Sequence, residues 1–167
     1  KKNKFFCVFL DRNVALIKKD GFGNKKIERS HLTAKEKFII DTFQLVSEIA
    51  SKLDAIDSCI VLINSFPGSA RWKKHFLRSE YIRYHLEVYY FNVIGIFDRL
   101  LLLVNHVYDL GFKGKDVKYG LIISNSHLQG TDTLKVLQKF YKALQNIRSV
   151  RNMIAHQSRL TDKELDD

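Results

Sequence analysis

The apolar residues that follow Phe38 recur at the spacing of one helix face, and this run ends at Pro67, the only proline in the chain. Thr33 and Glu36 stand three residues apart, which is the spacing of a capping box at a helix start. A proline ends a helix because its ring clashes with the preceding turn. The pattern therefore predicts a long helix from Thr33 to about Phe66.

Three further helical segments follow, each bounded by residues typical of helix ends. The first is predicted to start between Ser69 and Ser79 and to end at Leu110, before Gly111. The second is predicted from Asp116 to about Leu128, and the third from about Thr133 to His156. The first of the three is apolar on almost every face, as expected of a central helix. Helices that each need their apolar face covered favour an all-α fold, an antiparallel four-helix bundle.

Residues 1–30 follow a different pattern. Two short apolar stretches, FFCVFL and VALI, precede the turn-rich sequence KKDGFGNKK. This arrangement favours a short β-hairpin or an irregular arm. We therefore expect an N-terminal arm over residues 1–30 and a helical bundle over residues 31–167.

The charge balance favours a polyanionic partner. The chain holds 28 Lys and Arg against 18 Asp and Glu, for a formal net charge of +10. Such an excess suits nucleic acid, although charge alone does not distinguish RNA from DNA or from an acidic protein. The six histidines show no spacing typical of metal ligands, so we expect no metal and no cofactor.

Cysteine usage and hydropathy indicate a cytoplasmic protein. Cys7 and Cys59 stand alone without a CxxC partner, so neither a zinc site nor a redox pair is indicated. The longest clean apolar run in the central helix, Leu100 to Val104, is far shorter than the roughly 20 residues of a membrane span. The N-terminal apolar run, Phe5 to Leu10, is too short for a signal-peptide core. We expect no membrane partner.

The last predicted helix carries an arginine among its apolar positions. At about 100° per residue, one arc holds Leu137, Phe140, Leu144, Ile147, Arg151 and Ile154. A guanidinium stays charged, so it requires an anionic partner or a wet cleft there. One interpretation is a buried ion pair with a polar line on the central helix, formed by Glu87, Asp98, Asn105 and Asp109. The other interpretation is a site for phosphate chemistry.

Arg151, Asn152 and His156 spell R-N-x-x-x-H, and this motif resembles that of the HEPN superfamily. The ribonuclease branch of that superfamily carries R-x(4 to 6)-H, often with a polar residue directly after the arginine. The same spacing joins Arg78 to His85 and Arg99 to His106, so spacing alone is not specific. The asparagine, the small apolar IA before the histidine and the position late in the last helix favour the third match. The tract FDRLLLLVNHVYDLGF also looks like the second helix of some bacterial HEPN proteins.

The resemblance implies a metal-independent endoribonuclease, plausibly a toxin or phage-defence effector. His156 would act as general base or acid, Arg151 would balance charge on the phosphorane, and Asn152 would orient His156 or the phosphate. Arg148 and Arg159 would bind the RNA backbone. The partners implied are RNA, a second copy of the chain, and an antitoxin or regulatory protein.

Two features complicate this interpretation. Residues five apart on a regular helix point about 140° away from each other, so a homodimer whose motifs line one cleft would let these groups converge. Ser158 stands where toxins silenced by a nucleotidyltransferase antitoxin typically carry tyrosine, so we do not expect that mode of control.

Two other functions stay open. In a non-catalytic helical module that binds RNA or protein, Arg151 would pair with Asp98 or Glu87, and His156 would cap a helix end. A nucleotide-binding accessory domain of a transferase rests on family analogy alone.

Overall fold

A computed structural model describes residues 11–12, 14–15, 31–66, 77–147 and 149–150. These residues are mostly helical and include no strand, which confirms the all-α prediction. Their α-helices are α1 (Ala34–Asn64), α2 (Arg78–Val107), α3 (Tyr119–Ser124) and α4 (Asp132–Ala143). The 3-10 turns Gly114–Asp116 and Ser126–Leu128 precede and follow α3.

Little of the predicted N-terminal arm is described. Asp11, Arg12, Val14 and Ala15 are helical, and the rest of the arm lies outside the described residues. The chain divides into two compact units, Lys1–Glu48 and Ile49–Asp167. The predicted boundary between residues 30 and 31 stays a prediction.

The predicted capping box at the start of α1 is present. The Glu36 carboxylate accepts a hydrogen bond from the backbone N–H of Thr33 at 2.9 Å, and the Thr33 hydroxyl accepts one from the N–H of Glu36 at 3.3 Å. These two bonds satisfy N–H groups that have no partner inside the helix. The helix ends at Asn64, so its predicted span is confirmed to within two residues.

Residues 49–66 run antiparallel to α2. The rings of Phe66 and Tyr81 meet edge to face with centroids 5.2 Å apart. At the other end, Lys52 lies over Gly95, where an added β-carbon would come within 2.7 Å of the lysine Nζ. The missing side chain at Gly95 therefore gives the lysine stem room against the α2 backbone.

The end of α2 differs from the prediction. The helix ends at Val107, and Asp109, not Gly111, occupies the first left-handed position, with φ 48°. The N–H of Leu110 donates to Asn105 O at 3.0 Å, and the N–H of Asp109 donates to His106 O at 3.3 Å. This pair of bonds is a Schellman motif, which closes a helix through a left-handed residue just beyond its end.

The third predicted helix is shorter than expected. Asp116 belongs to a 3-10 turn, and α3 begins three residues later at Tyr119. After Ser124, Asn125 caps a second 3-10 turn by accepting a hydrogen bond from the N–H of His127 at 2.9 Å. Asparagine and aspartate compete with the helix in this way because their side chains bond to nearby backbone.

The core lies between α2 and the segments that follow it. Its buried members come from α2, α3, the second 3-10 turn, α4 and the residue after it: Phe97, Leu101, Val104, Ile122, Leu128, Leu137 and Leu144. Burying each such side chain contributes about 1.5–3 kcal/mol. Ile96 is also buried, although it lies on another face of α2, as expected of a central helix.

Contacts between α2 and α4 show that these helices are antiparallel. The Tyr108 hydroxyl lies 2.9 Å from the Thr133 hydroxyl near one end. Towards the other end of α4, the rings of Phe97 and Phe140 meet with centroids 5.5 Å apart. The antiparallel bundle predicted from the sequence is thus confirmed. None of the helices in the described parts of the chain is both long enough and apolar enough to cross a lipid bilayer.

Candidate active site at the end of the last helix

The five residues predicted to contact RNA lie outside the described residues: Arg148, Arg151, Asn152, His156 and Arg159. The structure does describe the chain that leads to them. Residues 145–147 and 149–150 are helical, and Val150 is the last described residue.

The apolar arc predicted for the last helix is confirmed as far as Ile147. Leu137 is 3% exposed and Leu144 is 2% exposed, while Phe140 and Ile147 are half-buried and pack against the core. Arg151 follows Leu144 by seven residues, which is close to two full turns of a helix. Within the described residues, the arc is therefore followed as far as Ile147, four residues before Arg151.

The helix is interrupted before it reaches the motif. α4 ends at Ala143, and the N–H of Leu144 is shared between Phe140 O and Tyr141 O, each at 3.1 Å. Such three-centre bonds are common where an α-helix tightens at its end. The helical residues 145–147 begin directly after this turn.

The contacts of Phe97 set the register between α2 and α4, because its ring meets those of both Phe140 and Tyr141. Val150 is nine residues beyond Tyr141, which would be about 13.5 Å along the axis of an uninterrupted helix. The same distance along α2 leads from Phe97 back to Val88, which is adjacent to Glu87.

The described members of the polar line lie in different surroundings. Glu87 is half-buried, whereas Asp98 is exposed and directly follows Phe97. Eleven residues, or about 16.5 Å of helix, separate the two carboxylates. Neither of them forms an ion pair or hydrogen bond with another described residue. Pairing of either with Arg151 stays a prediction.

Asn105 has a structural role that sequence reasoning missed. Its side-chain NH₂ donates to Phe112 O at 3.0 Å, and its Oδ1 accepts from the N–H of Phe112 at 3.1 Å. The Asn105 side-chain amide thus satisfies both the N–H and the carbonyl group of Phe112, as a neighbouring backbone segment would, and so holds the loop after α2. A pattern of polar residues along one face does not reveal this bond, because the partner is a backbone group seven residues away.

The other two Arg-to-His spacings lie on α2. His85 is half-buried, and its ring packs edge to face against Tyr81 and Tyr84, with centroids 4.4 and 5.3 Å away. Arg78, its partner in the spacing, is exposed at the first residue of the helix. Arg99 and His106 are both half-buried and engaged in other interactions. These surroundings are those of packed helix residues.

A cluster of four aromatic rings borders the helix that leads to the motif. Phe97 of α2 is fully buried and contacts Tyr119, Phe140 and Tyr141. Tyr119 and Tyr141 stack with centroids 3.7 Å apart and planes inclined by 10°. This stack could not be predicted from the sequence. Its two rings come from different helices, and the distance between these helices depends on the conformation of the loop that joins them.

Within the described residues, no group of three or more His, Cys, Asp or Glu is arranged to hold a metal ion. Cys59 is 3% exposed, and burial raises the pKa of its thiol above the ordinary value. The thiol therefore stays protonated at neutral pH and is a poor nucleophile.

Residues 22–167 match the family described as HEPN_Cthe2314-like HEPN, and the chain belongs to that family. The match includes the whole bundle and the R-N-x-x-x-H motif. The HEPN resemblance inferred from the sequence is therefore confirmed. Neither a curated protein nor a solved structure gives a significant match to the chain.

Proposed function

We propose that the chain is a metal-independent endoribonuclease of the HEPN type. The observation that carries this proposal is family membership over residues 22–167, which include the R-N-x-x-x-H motif. The apolar arc that the sequence predicts for the last helix is buried or half-buried as far as Ile147, its last described member. The formal net charge of +10 suits a polyanionic substrate.

The proposed reaction is attack by a ribose 2′-OH on the adjacent phosphate. His156 accepts the proton of the 2′-OH or delivers a proton to the departing 5′-oxygen, as its unperturbed pKa near 6.5 permits. The bond from phosphorus to the 5′-oxygen breaks, which leaves a 2′,3′-cyclic phosphate and a 5′-OH. Arg151 stabilises charge on the phosphorane with two donors, and Asn152 orients His156 or the phosphate.

Glu87 is the carboxylate we propose for holding Arg151. An uninterrupted helix from Tyr141 to Val150 would bring Val150 level with Val88, next to Glu87, whereas Asp98 directly follows Phe97, whose ring contacts Phe140. An ion pair on one edge of the guanidinium would leave its other donors for the phosphate. Glu87 is thus a positioning residue in this proposal, and Arg148 and Arg159 contact the RNA backbone.

The proposal includes a homodimer with both motifs at a shared cleft. The last helix carries an exposed apolar side in support of this: Val136 is 64% exposed, Ala143 is exposed, and the two lie about 20° apart around α4. Apolar side chains left exposed along one helix side are typical of a surface covered by a partner.

In the cell we propose a cytoplasmic toxin or phage-defence effector that acts on cellular RNA. An antitoxin or regulatory protein would hold such an enzyme inactive until it is needed.

Cleavage of total RNA by the wild type and by His156→Ala, both in EDTA, tests the proposed function. We expect the wild type to cleave and His156→Ala to lose at least about 100-fold in rate, because general acid–base catalysis typically contributes that much. Product ends are tested for 2′,3′-cyclic phosphate. Circular dichroism of both proteins serves as the folding control.

The possible outcomes separate the candidate functions. Equal cleavage by both proteins would remove His156 from the mechanism. Loss of wild-type activity in EDTA, with recovery on adding Mg²⁺ or Mn²⁺, would contradict the metal-independent reaction. No cleavage by either protein would favour the non-catalytic module, in which Arg151 serves only an ion pair.

A further inference from the structure

Tyr119 and Tyr141 form a stacked pair that joins α3 to α4 at the edge of the core. Their centroids lie 3.7 Å apart. Both side chains are half-buried, so part of each packs towards Phe97 while another part meets solvent. Accessible tyrosine rings are the groups on which nucleic-acid-binding proteins stack bases.

Exposed lysines flank this pair on both segments. Lys118 directly precedes Tyr119, and Lys142 directly follows Tyr141, so each ring of the stack has an exposed lysine as its neighbour in the chain. Neither lysine forms an ion pair with another described residue.

The charge around the stack is strongly positive. The sequence from residue 113 to residue 142 contains two acidic residues, Asp116 and Asp132, and Asp132 is bound to Lys135 at 2.8 Å. The same stretch carries six lysines, all of them exposed: Lys113, Lys115, Lys118, Lys135, Lys139 and Lys142. Uncompensated lysines of this kind bind phosphates with release of counterions.

We infer that Tyr119, Tyr141, Lys118 and Lys142 form a binding site for single-stranded RNA. A base stacks on the accessible part of the tyrosine pair, and the neighbouring phosphates lie against the two lysines. The strand is single because a base inside a duplex presents no free face for stacking. An acidic protein would use the lysines but would gain no comparable contact from the rings.

The site lies on the helix that leads to the proposed reaction centre. Tyr141 is nine residues before Val150, which corresponds to about 13.5 Å of helix. A strand held at the tyrosine pair therefore contacts the helix from which the chain continues to the motif. The inference rests on the proposed function for the fate of this strand, while binding can be measured independently of cleavage.

Binding is measured by fluorescence anisotropy with a short labelled single-stranded RNA that is methylated at every 2′-oxygen and so cannot be cleaved. We expect Lys118→Gln with Lys142→Gln to weaken binding at least about fivefold and to lower the slope of log affinity against log salt by about 1.4. The matched control is Lys35→Gln with Lys37→Gln, which removes two exposed charges from α1. Equal affinities and slopes for the two double variants would overturn the inference.

The role of the rings is tested separately by comparing Tyr141→Leu with Tyr141→Phe. We expect Tyr141→Leu to bind the RNA at least about fivefold more weakly than Tyr141→Phe, because leucine offers no aromatic ring on which a base can stack. If Tyr141→Leu does not fold, Tyr119→Leu is compared with Tyr119→Phe. Wild-type affinity for an abasic oligomer or for polyglutamate equal to that for RNA would overturn the assignment to RNA bases.

The two proposals fail in different ways. A wild-type chain that binds this RNA through the two lysines but cleaves no RNA contradicts the proposed function and supports this inference. A chain that cleaves RNA but shows no difference between the two lysine pairs supports the function and contradicts the inference.

Discussion

At the scale of single residues, the end of α2 depends on a strained aspartate. Asp109 has φ 48°, in the left-handed region where an L side chain crowds the following carbonyl. Glycine carries no such cost at this position beyond a helix end. Asp109 is therefore a position where glycine, which has no β-carbon, would stabilise the fold.

We expect Asp109→Gly to raise the free energy of unfolding by about 0.5–1 kcal/mol. Asp109→Ala, which keeps a β-carbon, should not raise it. Urea unfolding followed by circular dichroism measures both. A lower stability for Asp109→Gly than for the wild type would show that the aspartate side chain contributes more than its backbone strain costs.

Asn105 shows how one side chain can replace a backbone interaction. Both of its polar atoms bond to the backbone of Phe112, so the loop after α2 is held by a group of the helix itself. A buried or half-buried amide that loses such partners costs about 1–3 kcal/mol. The polar line read from the sequence thus contains at least one member whose bonds serve the fold.

At the scale of elements, local signals were enough to predict the two long helices. The capping box of Thr33 and Glu36 and the range given for the start of α2 agree with the structure. These features follow from residues three or four apart, whose contacts any helix brings together. The boundary after α2 was wrong because Asp109, which sequence statistics favour less than glycine, takes the left-handed position.

The site could be predicted only as far as local spacing reaches. The arc of the last helix to Ile147 follows from helical periodicity and is confirmed. The choice between Glu87 and Asp98 does not follow from it, because both share one face of α2. The contacts of Phe97 with Phe140 and Tyr141 set the level of Asp98 relative to α4, and the level of Glu87 relative to the motif is part of the proposal.

The register predicts different consequences for the two carboxylates. Glu87→Gln should lower kcat at least about tenfold with little change in KM, as expected when a group that orients a catalytic residue is lost. Glu87→Asp should recover part of the rate. The matched control Asp98→Asn removes the same charge at the level of Phe140 and should stay within about twofold of the wild type. Single-turnover cleavage of a defined RNA measures all three, and equal losses for Glu87→Gln and Asp98→Asn would contradict the register.

At the scale of the whole molecule, the proposed chemistry requires two copies of the chain. The HEPN family assignment covers residues 22–167, and the apolar side of the last helix offers a surface for the second copy. Because a two-fold interface uses the same patch on both subunits, one substitution there changes both sides at once.

We expect light scattering to show a dimer at micromolar concentration for the wild type. Val136→Glu should raise the dissociation constant at least about tenfold, because a carboxylate would be buried twice in the interface. Leu121→Glu, at a position 44% exposed on α3, is the control and should leave the mass unchanged. A wild-type monomer would count against the shared cleft, and unaltered dimers of Val136→Glu would move the interface to another surface.

The core cluster also has a consequence for the order in which the chain folds. All its buried members and the side chains packed on them lie between Val93 and Ile147, in one uninterrupted stretch of sequence. Contacts between nearby segments close with a small loss of chain entropy and form quickly. During synthesis, this part can bury its side chains as soon as Ile147 has left the ribosome. The R-N-x-x-x-H motif leaves the ribosome directly afterwards, when the side chains of this cluster can already be packed.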